Sequence, residues 1–476
     1  MFFNSFVFLL FLAVVLPVYY GLRGQRSRAV WLLAASYVFY GYWDWRFCSL
    51  LLLSTVVDFM VGQALHASGA PRRRKQLLLV SVAVNLGVLG FFKYFNFFAD
   101  SVVATAASLG LPVSELHLGI ILPVGISFYT FQTMSYTIDI YRGRLAPTRS
   151  FIDFALFVAF FPQLVAGPIE RARNLLPQIA HLGRPRAEHV REGLVLLVLG
   201  YLKKVLIGDT AGRIVDQVFG QPDLYRSPEL LAALVLFSIQ IYADFSGYSN
   251  IARGLAKLLG LNLMKNFEQP YLAASITEFW RRWHISLSSW LRDYLYISLG
   301  GNRRGRGRTH VNLMLTMLLG GLWHGAAWTF VVWGGLHGLY LAVHKRMLGD
   351  RRPADRFVWR GPASLVRWGL SVLATNLLVL LTWLFFRAAD FDQAWYFLDS
   401  FVHWESSALA GRFLSLTVAF MALTLLLDAL EYATGSHVWP LRLRPPVAAG
   451  LCTAAMIVVL VLMATTEPLP FVYFQF

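Results

Sequence analysis

The sequence predicts an all-α polytopic membrane protein, on three observations. Of its 476 residues, 57% are hydrophobic and 14% charged, and mean hydropathy is +0.55. Roughly a dozen apolar stretches approach or exceed the ~17–25 residues that a transmembrane helix needs. The short loops between them alternate between basic and nearly neutral, the pattern that orients helices in a bilayer. A transmembrane barrel would instead show alternating segments of about ten residues. No polar segment is long enough for a separate soluble domain, so one membrane domain over 1–476 is expected.

The clearest apolar segments are 4–22, 47–66, 76–98, 117–138, 365–387 and 447–464. The opening MFFNSFVFLLFLAVVLPVYY has no basic leader and no small-residue cleavage site, so it reads as a retained first helix. The loops RGQRSR (23–28), PRRRK (71–75) and RGRLAPTR (142–149) are basic, whereas DWR (44–46) is nearly neutral. With basic loops inside, both termini are expected on the outer face. The segment 151–170 has basic flanks, and Pro162, Gly167 and Pro168 interrupt it. A segment that dips in and returns is expected, which is tolerated only where it is packed in protein or lines a cavity. Residues 192–208 then cross outward, and 209–229, with four acids against two arginines, forms an outer loop.

The net charge of +16 sits in these loops, and no recognition module is present, so nucleic acid is not an expected partner. The two cysteines, Cys48 and Cys452, suggest neither a disulfide framework nor a metal cluster.

Residues 311–343 contain no Asp, Glu, Lys or Arg, and His324 lies near the middle. As one helix this run would extend about 50 Å, too long for an upright span. Both flanks, GNRRGRGR (301–308) and HKR (344–346), are basic, so a re-entrant hairpin is expected; one long tilted helix is the alternative. Gly320, Gly321 and Gly325 weaken the helix at the tip. An ionisable ring there is a functional candidate by default. The competing reading of His324 is a packed histidine bonded to a backbone carbonyl. His310 and His337 carry no such signal, and the charged loop explains His344.

In SITEFWRRWHISLSSWLRDYL (275–295), Ser275 and Glu278 match a capping box. Thr277, Arg281, His284, Ser288 and Arg292 recur at helical spacing and predict one polar stripe on an amphipathic helix. His284 either faces headgroups on that stripe or lines a wet channel. Asp58 is either a proton or ion site or a structural partner for an arginine. Asp244 either orients an imidazole or caps the helix that follows. A neutral histidine in a buried polar cavity suits general-base work on a hydroxyl or thiol. No nucleophile elbow or phosphate-binding loop occurs, and no carboxylate or thiolate cluster completes a metal site around two histidines.

The motifs TEFWRRWHISLSSWLRDYLYISLGGNRRG (277–305), GGLWHGAAWTFVVWGGLHG (320–338) and DFSGYSNIARG (244–254) resemble the membrane-bound O-acyltransferase (MBOAT) family, in its bacterial alginate O-acetylation branch. LPVGISFYTFQTMSYTIDIYRG (122–143), FFPQLVAGPIERA (160–172), KNFEQPYLAASITEF (265–279), the opening MFFNSFVF and the closing PFVYFQF fit the same branch. The resemblance covers essentially the whole chain, with a core at about 120–345 flanked by helices in 1–98 and 361–465. It implies a shell of roughly a dozen transmembrane or re-entrant helices around a funnel or tunnel. It implies that His324 is catalytic and His284 is the second histidine. Asp244, Arg281, Arg282, Ser288 and Trp323 are supporting candidates. The chain departs from the family pattern at Asn250, where the motif usually carries Asp, so Asp244 is favoured as the supporting carboxylate.

The resemblance further implies acetyl-CoA as acyl donor, no permanently bound cofactor, and residence in the bacterial inner membrane among its lipids. It implies periplasmic SGNH-type acetyltransferases as partners and an exported polysaccharide as final acceptor. D-alanyl transfer from a carrier-protein thioester is the alternative within the family. A transporter or channel using Asp58, Asp244, His284 and His324 is the alternative outside it.

Overall fold

The computed structural model describes residues 1–111, 114, 117–348 and 357–474, so Gln475 and Phe476 of the closing motif lie outside the described residues. Among the described residues all regular structure is helical, and six helices are long and apolar enough to cross a membrane. This is a polytopic membrane protein. Two compact units form, one from Met1, Phe6–Val190 and Leu255–Met264, the other from Phe2–Ser5, Arg191–Gly254 and the described part of Lys265–Phe476.

The first unit packs the helices Gln25–Asp44, Cys48–Ala67, Pro71–Leu89 and Ile126–Tyr141, among others. The expected span 117–138 is shorter than its hydropathy suggests. Its helix begins at Ile126, because Pro123 disfavours helix in the residue before it and Gly125 takes a left-handed φ of 76°. Among the described residues no arginine pairs with Asp58. Its carboxylate accepts from Ser81 Oγ (2.5 Å) and Asn85 Nδ2 (2.8 Å) inside a buried hydroxyl-rich knot. The 151–170 segment breaks as its prolines predict, into Phe151–Ala159 and Phe161–Leu164.

The second unit is organised by the 32-residue helix Ser227–Leu258. Helix Ala187–Tyr201 runs beside it and widens into a π-helical stretch, Leu202–Asp209. Gly200 and Gly247 allow the close approach: a Cβ on Gly247 would lie 2.7 Å from the Gly200 carbonyl oxygen. Asp209, expected in an outer loop, is instead buried. It pairs with Lys204 at 2.6 Å, because a lysine buried in the wide turn requires an anion. Lys203 points elsewhere, to Glu431 at 2.7 Å.

The uncharged run around His324 folds back on itself. Helices Gly305–His324 and Trp328–Leu348 are joined by residues 325–327, so the hairpin holds and the single tilted helix does not. His344 lies on the second arm, not in a loop, and bonds Thr277 Oγ1 at 2.9 Å. A Cβ on Gly321 would come 2.2 Å from the Phe330 carbonyl oxygen, so only glycine permits this contact. Gly321→Ala is expected to force the arms apart and cost about 1–3 kcal/mol, the usual range for overpacking. A thermal midpoint equal to wild type would contradict this.

Candidate active site

The capping box at Ser275 forms: its side chain accepts from Glu278 N at 3.2 Å, while Glu278 reaches back to Ala274 N at 2.8 Å. The continuous polar stripe does not. Helix Ile276–Arg282 ends at Trp283, and helix Ile285–Trp290 starts afresh after His284. His284 sits at the break with φ 42° and ψ 54°, a left-handed conformation that costs a non-glycine residue of order 1–3 kcal/mol. The surrounding chain holds it there. Asn266 O accepts from Ile285 N at 2.9 Å, and Glu268 N donates to Arg282 O at 3.0 Å. Ser288 Oγ donates to the Trp283 carbonyl at 3.1 Å, so Ser288 closes the break.

The break turns the His284 ring inward, where it is fully buried. Asn266 Oδ1 lies 3.0 Å from Nδ1 and also meets Ser286 N at 3.2 Å and Ser286 Oγ at 2.9 Å. A backbone N–H only donates, so the atom it meets is the amide oxygen, and Nδ1 must carry the imidazole proton. Nε2 then bears the lone pair. His284 lies outside the six apolar spans, and burial pushes its pKa down to about 3, so the ring is neutral. Asn266→Leu would orphan the Nδ1 proton, and the 1–3 kcal/mol cost of an unsatisfied buried donor predicts a fall in transfer of roughly tenfold or more. Asn266→Asp, which keeps an acceptor, should restore much of it; equal loss in both variants would rule out this positioning role.

His324 ends the first arm of the hairpin, and its ring centroid lies 6.3 Å from that of His284. The fold thus brings together two histidines separated by 40 positions. Aromatic rings close around them. Trp323, Trp333, Phe386 and Tyr473 pack on His324 at 5.0, 5.0, 5.5 and 5.4 Å, and Phe245 packs on His284 at 4.6 Å. Trp323 also lies 6.0 Å from His284, so it walls both rings. His337 is structural. It accepts from Trp280 Nε1 (3.3 Å) at Nδ1 and meets Thr382 Oγ1 (3.0 Å) at Nε2.

Three supporting candidates take other places. Asp244 lies inside the helix Ser227–Leu258, so it caps nothing. Its carboxylate pairs with Lys204 at 2.8 Å and accepts from Val472 N at 2.7 Å, so its partners are a buried cation and the C-terminal tail. Arg282 is buried against Glu278 at 2.6 Å. Arg281 and Arg282 line a polar cavity of about 230 Å³ with Lys265, Gln269 and Glu431, just before the break.

Two site residues escape a reading by spacing. Asn266 sits in KNFEQPY, where no pattern marks it. Tyr473 sits in the closing motif, far along the chain from either histidine. The tail is tied down by Val472 N on Asp244, by Asn4 Nδ2 on Leu469 O (3.1 Å), and by Arg213 on Glu467 O (2.7 Å). Tyr473 is thereby held with its ring on His324, and its buried hydroxyl has no hydrogen-bond partner among the described residues.

The site is thus two buried imidazoles, brought side by side at a helix break and a hairpin tip of a polytopic helical membrane protein. A model of the membrane-bound O-acyltransferase (MBOAT) family matches residues 143–363. The chain is 44% identical over 457 residues to a probable alginate O-acetylase AlgI of Azotobacter vinelandii, covering 94% of this chain and 88% of that protein. It is 35% identical to a peptidoglycan O-acetyltransferase of Helicobacter pylori, over 81% of this chain and 77% of that protein. A teichoic acid D-alanyltransferase of Streptococcus thermophilus is 27% identical over 49% of this chain and 59% of its own length. The chain belongs to the membrane-bound O-acyltransferase family, and its activity is O-acyl transfer.

Proposed function

We propose that this chain takes acetyl groups from cytosolic acetyl-CoA and passes them across the bacterial inner membrane for O-acetylation of an exported polysaccharide. SGNH-type acetyltransferases would complete the transfer in the periplasm. The observation that carries the chemistry is the His284–His324 pair, with ring centroids 6.3 Å apart in a buried aromatic setting. His324 takes the proton from an acceptor hydroxyl as its oxygen attacks the thioester carbonyl. The tetrahedral adduct collapses, the C–S bond breaks, and the proton on His324 goes to the leaving thiolate. The hydroxyl has one proton, and that proton goes to His324, so His284 serves by holding the acceptor or donor in place beside His324. A neutral Nε2 without a proton is not suited to stabilising an oxyanion, which needs donors.

Tyr473 brings a hydroxyl to the rings packed on His324. It is the candidate first acceptor, so the acetyl group would rest on a protein oxygen before it leaves. Arg281 and Lys265, on the polar cavity beside the break, are candidates to meet the phosphates of the donor. A surrounding shell of about a dozen transmembrane or re-entrant helices, with a funnel reaching the histidines from the cytosol and both termini outside, would let donor and acceptor meet at this depth. Acetyl is preferred over D-alanyl because the similarity to O-acetylases is both stronger and longer.

The test is acetyl consumption by purified protein in nanodiscs, with radiolabelled acetyl-CoA and a periplasmic SGNH-type acceptor protein present or absent. Label on the acceptor is expected with wild type. No turnover by folded protein with any small thioester, but turnover with an aminoacylated carrier protein, would replace acetyl with D-alanyl.

A further inference from the structure

A second, chemically different cavity lies between the helices Ser227–Leu258, Pro362–Arg387 and Ala410–Thr434. It is a groove of about 450 Å³ running from Trp368 to Trp383, and no charged residue lines it. All three walls are helices long and apolar enough to span a bilayer, and the rim residues Leu373 and Leu377 are 55% and 58% exposed. Of the polar side chains that line it, Asn376, Tyr271 and Thr424 already donate within the protein. Asn376 Nδ2 donates to Tyr271 O (2.9 Å) and Val372 O (2.8 Å), Tyr271 Oη donates to Ser238 O, and Thr424 Oγ1 donates to Phe420 O (2.8 Å). An apolar occupant therefore leaves none of these three donors newly unsatisfied, while water gains little.

We propose that this groove binds one alkyl chain of a bilayer phospholipid. The fit is in length and in charge. Trp368 to Trp383 is fifteen residues of helix, about 22 Å, against a hydrocarbon depth of about 15 Å per leaflet, so one tail is accommodated whole. Arg360 and Arg367 stand exposed beside the Trp368 end, where a lipid phosphate would lie. The floor also matters for the enzyme. Trp383 and Tyr271 pack on Trp283 at 5.0 and 6.1 Å, and Trp283 is the residue before the His284 break. A bound tail would brace this aromatic stack from the bilayer side.

Gly369 gives a clean test, because a Cβ there meets nothing within 4 Å, so a large side chain can fill the groove without displacing backbone. Wild type, Gly369→Trp, Leu373→Trp and the control Leu370→Trp would be purified in dodecyl maltoside and weighed by native mass spectrometry. They would be weighed before and after incubation with palmitoyl-oleoyl phosphatidylglycerol vesicles. Leu370 is exposed and lies off the groove. One phospholipid per chain is expected on wild type and Leu370→Trp, and none on the two filled variants, with thermal midpoints confirming that each is folded. Equal lipid on the folded filled variants overturns the proposal. So does an absence of lipid on wild type, or a dimer of this chain that only the filled variants lose. The readout uses no acyl donor, so it stands or falls apart from the catalytic reading.

Discussion

His324→Gln is expected to reduce acyl transfer by about 10²–10⁴-fold, the range that a positioned general base contributes. Glutamine keeps much of the ring's volume and can hydrogen-bond at the hairpin tip, but it cannot take a proton. Because the swap roughly conserves volume, the fold should lose less than about 1.5 kcal/mol. His337→Leu is the informative contrast. His337, 13 residues further on, is fully buried and both its nitrogens are bonded. Its loss strands the Trp280 N–H, so the thermal midpoint should fall by the equivalent of about 1–3 kcal/mol while surviving folded enzyme keeps its chemistry. Steady-state transfer per folded molecule separates the two. If His324→Gln transferred at the wild-type rate in folded protein, His324 would be one more packed histidine, and the base would have to be sought at His284.

Much of the fold was legible in the sequence because the bilayer imposes simple rules. Apolar runs of spanning length become helices, and prolines and glycines mark where they stop. The hairpin at His324 follows from run length, basic flanks and glycine spacing, and the structure returns it with both arms. The capping box at Ser275 is local chemistry and is likewise present. The break at His284 was hidden for the opposite reason. The heptapeptide TEFWRRW continues smoothly into HISLSSW at helical spacing, and nothing local forbids a helix. The break is imposed by Asn266 and Glu268, which bond the backbone of Arg282 and Ile285. The burial of Asp209 was hidden in the same way, since its partner Lys204 lies on a π-helical turn that no local pattern announces. Asp244 reads from sequence as a supporting carboxylate, but its partners are Lys204, on the preceding helix, and Val472 N, near the far end of the chain, so its service to the tail could not be read.

That tail leads to the sharpest remaining expectation, Tyr473→Phe. The substitution deletes one oxygen and keeps the ring that packs on His324, Phe245 and Phe386. The lost hydroxyl is buried and unsatisfied among the described residues, so its removal should leave stability unchanged or slightly raised. A residue serving only as packing would therefore be silent. If the phenol oxygen is the first acetyl acceptor, transfer to the periplasmic protein should fall by at least about 10³-fold, the scale of losing a nucleophile. Folded Tyr473→Phe protein should also never carry an acetyl group, whereas wild type incubated with donor and no partner should gain the mass of one on the peptide containing Tyr473. Disturbing the anchor gives an intermediate result. Asp244→Asn keeps an oxygen for Val472 N but removes the charge opposite Lys204, so the tail should stay only partly seated and transfer should fall less than in Tyr473→Phe. Normal transfer by Tyr473→Phe, with no acetylated tyrosine in wild type, would send the acyl group directly to an external hydroxyl and reduce the tail to a wall of the site.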